Sequence, residues 1–334
     1  MADKDIRQVL VTGGAGYVGA ALVPKLLNAG YTVKVLDLYL FGEGALDAVK
    51  DDPRLTEIRG DIRNTDTLKE AIRGCDAVIH LACISNDPSF ELNPALGKSI
   101  NYDAFFGLVD ISRDCGVRRF VYASSSSVYG VRKEDEVTED LSLEPLTDYS
   151  KYKALCEDVL LERTEPGFTT LVLRPATVCG FSPRLRLDLT VNILTHHAVQ
   201  NGLIRVFGGE QMRPNIHIED ITNVYVQVLE WPDRSINGQI FNVGYENHKV
   251  REIAEMVRGV VGPEVGVETV ATDDNRSYHI SSEKIRKELG FVPQHSVGEA
   301  IQDLTNAFND GRIANSMTDD RYYNIKRMQT VHLD

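Results

Sequence analysis

Three residues in the middle of the chain could perform acid–base chemistry: Ser125, Tyr149 and Lys153. Tyr149 and Lys153 are four residues apart in a predicted helix, so they share one face about 6 Å apart. An isolated tyrosine has a pKa of about 10, and a nearby ammonium favours its phenolate. Ser125 follows a predicted strand, where its hydroxyl can hold a substrate hydroxyl. The three residues therefore predict removal of a proton from an alcohol.

The Tyr-x-x-x-Lys pattern alone is weak, because exposed helices carry it by chance and Tyr152 lies within it. A solvated helix face is the alternative interpretation. The order of features along the chain favours catalysis, since a glycine-rich turn and then a serine-rich strand end precede the pair.

The first element that must position this chemistry is the segment 9–37. An apolar run ends at Gly13, Gly16 and Gly19, a helical pattern follows, and a second strand ends at Asp37. Glycines at a strand-to-helix turn let a pyrophosphate approach the backbone and the helix N terminus. Asp37 is placed to accept hydrogen bonds from both ribose hydroxyls and would repel a 2′-phosphate. No arginine lies immediately beside Asp37, so the segment predicts NAD rather than NADP; a glycine turn with a solvent-facing aspartate is the alternative.

Strand-like and helix-like segments alternate through the first half of the chain, which predicts a Rossmann-type, doubly wound parallel sheet of the α/β class. The alternation weakens from about residue 180, and the later segments predict a smaller C-terminal α/β substrate-binding lobe. We therefore assign residues 1–179 to an NAD-binding domain and 180–334 mainly to the lobe, with segments near 214–245 returning to the first domain. The cleft between them is expected over the carboxyl ends of the strands.

The composition limits the classes of partner. The chain has 36 Lys and Arg against 49 Asp and Glu, a formal net charge of −13, and no basic run, which argues against nucleic acids and anionic membrane surfaces. We expect no signal peptide and no membrane span, because no apolar run approaches about 20 residues. Five scattered cysteines without metal-ligand spacing predict reduced thiols, no metal site and a cytoplasmic protein.

These motifs resemble the extended short-chain dehydrogenase/reductase family, in its group of NAD-dependent nucleotide-sugar epimerases and dehydratases. The matching segments lie in family order at 12–19, 60–63, 80–82, 124–130, 149–153, 173–175 and 213–220. The resemblance implies a catalytic triad of Ser125, Tyr149 and Lys153, with Ser126 as the alternative serine if the run is misregistered by one. It also implies that NAD is bound by Gly13, Gly16, Tyr17, Val18, Gly19, Asp37, Asp61, Ile62, Leu81, Ala82, Asn101, Tyr149, Lys153 and Pro175.

The serines after Ser125 bear on the reaction type. Dehydratases of this family carry an Asp-Glu pair there, and elimination needs both carboxyl groups, whereas this chain has Ser126 and Ser127. Serine cannot replace either acid at neutral pH, so 4,6-dehydration is disfavoured. C4 epimerisation through a transient 4-keto sugar, with Tyr149 as base, is the main hypothesis, and net C4 oxidation or 4-keto reduction is the alternative. A non-catalytic NAD-binding regulator is disfavoured because Tyr149 and Lys153 are both present.

An acidic chain needs local cations to bind a nucleotide-diphosphate sugar. In relatives, arginines at the positions of Arg213 and Arg276 clamp the substrate diphosphate, while we interpret Arg184 and Arg186 as surface ion pairs. Cys179 departs from the family pattern: a thiol acid/base for C3 or C5 epimerisation is one interpretation, and a small packed residue is the favoured one. The remaining predicted substrate contacts are Ser85, Ser126, Thr177, Asn192 and Val206, although an ordinary turn explains Ser85 equally well.

The resemblance also implies an oligomeric state. In relatives, the helices that correspond to 94–115 and 149–162 form a four-helix bundle between two subunits. We therefore expect a homodimer by analogy.

Overall fold

A computed structural model describes residues 6–272, 277–331 and 333 of the chain. Its strands are β1 (Gln8–Thr12), β2 (Thr32–Asp37), β3 (Leu55–Arg59), β4 (Ala77–His80), β5 (Arg119–Ala123), β6 (Thr169–Pro175), β7 (Thr177–Cys179), β8 (Leu203–Phe207), β9 (Met212–His217), β10 (Gln239–Val243), β11 (Glu246–Lys249) and β12 (Gly266–Val270). Seven of them form one parallel sheet in the order β10-β6-β5-β4-β1-β2-β3. The predicted Rossmann-type sheet is confirmed.

Thirteen α-helices occur in the described residues. They are α1 (Tyr17–Asn28), α2 (Thr65–Ile72), α3 (Asp87–Glu91), α4 (Pro94–Lys98), α5 (Ala104–Asp114), α6 (Asp148–Leu161), α7 (Thr190–Asn201), α8 (Ile218–Gln227), α9 (Asp233–Ile236), α10 (Val250–Val261), α11 (Glu283–Leu289), α12 (Val297–Asn309) and α13 (Asn324–Thr330). The helix predicted over 94–115 contains a π-helical turn, Ser99–Asp103, between α4 and α5.

Both faces of the main sheet are buried, as a doubly wound fold requires. Along β1, Val9 and Val11 belong to the apolar core that includes α1 and α8, whereas Leu10 belongs to the core that includes α2, α5 and α6. Because successive side chains of a strand point to opposite faces, this alternation places helical layers on both sides. The carboxyl ends of the strands are left open for a ligand.

The later segments form smaller units beside the main sheet. Strands β11, β9 and β7 form a three-stranded sheet, and β12 pairs with β8. Helices α7, α10 and α12 pack with β8 around a third apolar core. Strand β10 joins the edge of the main sheet by pairing with β6, so the chain returns to that sheet after β8 and β9.

The described residues also bear on membranes, metals and cysteines. Among residues 6–272, 277–331 and 333, every helix is too short or too polar to cross a bilayer. In the same part of the chain, no three His, Cys, Asp or Glu side chains are grouped as metal ligands. All five cysteines are free thiols.

Candidate active site

A cavity of about 340 Å³ opens over the carboxyl ends of the central strands. Each strand ends with a residue of its lining: Gly13 after β1, Asp37 of β2, Leu81 after β4, Ser125 after β5 and Pro175 of β6. The fold thus gathers residues that are 162 positions apart in sequence, from 13 to 175. This is the edge at which open parallel sheets bind their ligands.

The glycine turn leaves no room for side chains. Gly13 has φ of +76°, and a Cβ there would lie 2.6 Å from the backbone nitrogen of Ala82. A Cβ on Gly19 would lie 2.5 Å from the carbonyl oxygen of Gly13. Gly16 is the N-cap of α1, and no side chain of the described residues caps that helix. The first N–H groups of α1 are therefore directed to the cavity, which suits a pyrophosphate.

Asp37 is fixed at the end of β2. Its Oδ2 accepts the N–H of Ala15 at 3.0 Å, and its Oδ1 accepts the N–H of Tyr39 at 2.8 Å. Burial raises the pKa of this carboxyl, although the two backbone donors oppose the rise. The carboxylate lines the cavity with its position set by backbone groups, as a ribose-binding aspartate requires.

The predicted catalytic residues are brought together in this cavity. Tyr149 and Lys153 lie one turn apart on α6, and Lys153 Nζ is 5.9 Å from the centre of the Tyr149 ring. The same Nζ donates to the carbonyl of Ala123 at 2.7 Å. Ser125 Oγ lies 2.8 Å from Ser127 Oγ and accepts the N–H of Ser127. All three predicted residues line the cavity.

The pKa of Tyr149 is raised well above 10. Burial is the largest cause, Cys83 and Asp87 add to it, and Arg186 opposes it. The direction is opposite to that expected from the Tyr–Lys spacing alone, because desolvation outweighs the attraction of nearby cations. Tyr149 therefore needs further positive charge in the cavity to act as a base.

A buried network of hydrogen bonds and one ion pair holds the serine-rich end of β5 on the side away from the cavity. Ser124 donates to Glu157, which forms a bidentate ion pair with Arg174 with an Nη2–Oε2 distance of 2.6 Å. Arg174 also donates to the hydroxyl of Tyr129 at 2.7 Å. The network links β5, α6 and β6 directly behind the predicted catalytic residues, so it fixes their relative positions.

Asn101 does not line the cavity but holds a loop that does. Its Oδ1 accepts the N–H of Ile84 at 2.8 Å, and its Nδ2 donates to the carbonyl of Ile84 at 2.9 Å. Asn101 belongs to the π-helical turn, a type of helix defect that is frequent near functional sites. Its role here is to orient the loop 83–87, from which Ser85 reaches the cavity.

A second cavity of about 310 Å³ adjoins the first, and both are lined by Asn86, Asp87, Ser127, Thr177, Leu189 and Tyr278. Arg213, on β9, lines the second cavity and stacks at 5.6 Å on the ring of Tyr278. The predicted Arg276 lies outside the described residues. The carboxylates that line the two cavities are Asp37, Asp61, Asp87 and Asp188.

The interpretation of Arg184 and Arg186 as surface ion pairs is wrong. They are only 6% and 8% exposed, and both line the first cavity. Arg186 forms a bidentate ion pair with Asp188, with Nε 2.9 Å from Oδ1, and donates to Ser85 Oγ at 3.1 Å. A signal was present in the sequence: charged residues alternate with leucines over 184–189, which is the pattern of an extended segment with one polar face.

Three predicted or discussed residues lie behind the cavity wall. Asn192 is fully buried and donates to the hydroxyl of Tyr17 at 3.1 Å and to the carbonyl of Arg186 at 2.8 Å. Val206 is buried in the third apolar core, with α7, α10 and α12. Cys179 is buried in the same core, where burial raises the pKa of its thiol, so its position favours the packing interpretation. The structure does not bring these three side chains to the lining of either cavity.

Most of the predicted cofactor residues do lie together. The lining of the first cavity includes Gly13, Gly16, Tyr17, Val18, Gly19, Asp37, Asp61, Ile62, Leu81, Ala82, Tyr149, Lys153 and Pro175. Residues that sequence reasoning missed are Arg184, Arg186 and Asn324, the last from the C-terminal helix α13.

This arrangement agrees with the comparisons to known proteins. A model described as the NAD dependent epimerase/dehydratase family matches residues 9–244. The chain belongs to this family. It is 29% identical over 325 residues to a UDP-glucose 4-epimerase of Lactobacillus helveticus, covering 89% of this chain and 94% of that one.

Solved structures of the epimerase/dehydratase family have the same fold. DesIV, a dTDP-glucose 4,6-dehydratase from Streptomyces venezuelae solved with NAD bound, is 26% identical with a TM-score of 0.83, covering 91% of this chain and 98% of its own. MoeE5, solved with UDP-glucuronic acid and NAD, is 26% identical with a TM-score of 0.80, covering 91% and 99%. The protein is an NAD-dependent nucleotide-sugar enzyme, and the glycine turn and Asp37 fit that cofactor.

Proposed function

We propose that this protein is a nucleotide-sugar C4 epimerase that oxidises its substrate transiently to a 4-keto sugar. The observation that carries the proposal is the placement of Ser125, Tyr149 and Lys153 in one cavity, with serines at 126 and 127 where elimination would need two acids. The UDP-glucose 4-epimerase of Lactobacillus helveticus, matched over 94% of its length, supports the same reaction.

In the proposed mechanism, Tyr149 removes the proton of the sugar 4-hydroxyl while the C4–H bond breaks and a C4 carbonyl forms. Bound NAD supplies the hydride acceptor and, on the return, the hydride donor. Ser125 holds the reacting oxygen by a hydrogen bond, and Lys153 keeps a positive charge beside the phenol ring. The 4-keto sugar rotates, hydride returns to its other face, and Tyr149 gives the proton back to the oxygen.

The second cavity is proposed to hold the nucleotide diphosphate. Arg213 supplies a guanidinium there, and Thr177 lies at the boundary between the two cavities. Ser85 and Ser126 line the first cavity near the proposed sugar position. Contacts from Asn192, Val206 and Arg276 stay predictions, as does a homodimer through the helices of 94–115 and 149–162.

A net C4 dehydrogenase or 4-keto reductase would use the same residues but would exchange the cofactor in each turnover. To separate the two, the purified enzyme is incubated with UDP-, dTDP-, GDP- and CDP-sugars while products are followed by NMR and NADH by absorbance. Conversion to the C4 epimer without net NADH is the expected result. Stoichiometric NADH would instead establish the dehydrogenase, and a 4-keto-6-deoxy product would contradict the inference from Ser126 and Ser127.

A further inference from the structure

The segment 184–188 directs two buried cations into the cofactor cavity. Leu185 and Leu187 are 2% and 0% exposed and pack into the core beside the sheet, so Arg184 and Arg186, which alternate with them, point the other way. The carboxylate of Asp188 is committed to Arg186 through two hydrogen bonds. Arg184 therefore lacks a comparable carboxylate partner among the described residues.

The surroundings of Arg184 place it beside the glycine turn. Its guanidinium carbon lies 3.6 Å from the centre of the Phe41 ring, and its Nη2 donates to Asn324 Oδ1 at 2.6 Å. Tyr17, the first residue of α1, and Asp37 are close enough to act on its charge. Its Nε is buried and has no hydrogen-bond partner among the described residues.

No carboxylate of the described residues pairs directly with Arg184. Burial lowers the pKa of this guanidinium and the like charge of Arg186 lowers it further, while the more distant carboxylates of Asp188 and Asp37 oppose the fall. Asp37 is already engaged by the backbone N–H groups of Ala15 and Tyr39. A buried cation beside another cation is costly unless an anion pairs with it, and an unpaired N–H adds to that cost.

We propose that Arg184 binds the diphosphate of NAD, as a further cofactor-binding residue opposite the glycine turn. The diphosphate is the anionic part of NAD, and the N terminus of α1 is the other group here that suits it. Arg184 would provide the neutralising charge that backbone N–H groups alone cannot.

The same proposal gives α13 a positioning role. Asn324 accepts from Arg184 and also donates to Ser85 Oγ at 2.8 Å, while Arg327 donates to the carbonyl of Leu40 at 2.5 Å. These contacts hold the C-terminal helix across the cavity edge and fix the Arg184 guanidinium. Retention of NAD should therefore depend on Asn324 through Arg184.

The test compares a ligand that contains the diphosphate and its second ribose with one that ends at the adenine ribose. Protein freed of nucleotide is titrated with ADP-ribose and with adenosine by calorimetry, as wild type and as Arg184→Gln. We expect the substitution to weaken ADP-ribose binding by ~10-fold or more, because a charge-assisted contact is lost, and to change adenosine binding by less than about twofold. Equal weakening of both ligands would show a merely structural role and overturn the proposal.

Further variants keep the test decisive. Arg184→Lys retains the charge and should recover part of the ADP-ribose affinity even if Arg184→Gln fails to fold. Asn324→Ala should weaken ADP-ribose binding less than Arg184→Gln does, and no effect would overturn its positioning role. The matched control is Arg258→Gln. Arg258 is an exposed residue paired with Glu255 on α10, and this variant should bind both ligands as the wild type does. A larger loss of affinity for adenosine than for ADP-ribose would overturn the assignment to the diphosphate. Because none of these titrations uses a sugar substrate, no result depends on the proposed epimerase reaction.

Discussion

The ammonium of Lys153 lies 5.9 Å from the centre of the Tyr149 ring and is held there by the carbonyl of Ala123, 2.7 Å away. Helix α6 supplies both side chains and β5 supplies the carbonyl, so the positions of tyrosine and lysine are fixed relative to the sheet. Lys153 is only 4% exposed, and its charge therefore acts in a poorly solvated place, where it is screened little.

Replacement of Tyr149 by Phe should remove catalysis without removing the cofactor. The loss of the phenol oxygen eliminates the proposed base, and we expect kcat to fall by roughly 10²–10⁴-fold. NAD binding, measured by titration, should stay within about twofold of wild type because the ring still fills its place. Activity close to that of wild type would show that another residue removes the proton.

The two neighbouring serines should respond differently to substitution by alanine. Ser125→Ala should lower kcat strongly, since Ser125 is the predicted partner of the reacting oxygen, whereas Ser126→Ala should mainly affect KM. Steady-state kinetics of both variants make the comparison. If Ser126→Ala gives the larger loss of kcat, the serine run is misregistered by one position and Ser126 is the catalytic hydroxyl.

Arg186 should lower the pH at which the enzyme becomes active, through its effect on the pKa of Tyr149. Burial raises the pKa of Tyr149 and Arg186 opposes that rise, so Arg186→Gln should raise the pKa further. Because the proposed base must be deprotonated, activity rises with pH through its pKa, and the variant should need a higher pH for the same fractional activity. The acid limb of the kcat profile is the measurement, with Arg258→Gln as control. An unchanged or lower-pH limb would exclude this coupling.

The buried ion pair of Arg174 and Glu157 should matter for stability. Both side chains are at most 3% exposed, and Arg174→Met leaves a buried carboxylate without its partner. We expect the free energy of unfolding to fall by about 3–5 kcal/mol, measured by urea denaturation. The double variant Arg174→Met, Glu157→Met should lose less than the single one, because it leaves no charge unpaired. Equal losses would mean that the pair acts only through packing.

Local sequence patterns predict the helices and strands well, because apolar periodicity and glycines at the turns mark each of these elements within its own segment. In the segment 9–37, the predicted order of an apolar strand, a helix after the glycines and a second strand ending at Asp37 is the order that the structure gives, since the glycines mark the turn between strand and helix. That Ser125, Tyr149 and Lys153 line one cavity was also predictable, because Tyr149 and Lys153 are close in sequence and Ser125 follows β5, the strand that precedes α6.

Contacts between distant segments could not be predicted in the same way. Nothing local indicates that Arg184 meets Phe41 and Asn324, which are 143 and 140 positions away. An arginine is most often a surface residue, and this general expectation led to the wrong interpretation of Arg184 and Arg186 as surface ion pairs. The alternation with leucines was the local signal that these arginines have a buried polar face.

The fate of hydrogen at C4 tests the proposed reaction most directly. The nucleotide sugar that the enzyme converts is prepared with deuterium at C4 and incubated with the enzyme and excess NAD⁺ in solution. The account predicts that the C4 epimer forms with its deuterium retained at C4, because hydride leaves and returns within one active site whose base is Tyr149. Deuterium appearing in the free NADH pool, together with an accumulating 4-keto product, would contradict it.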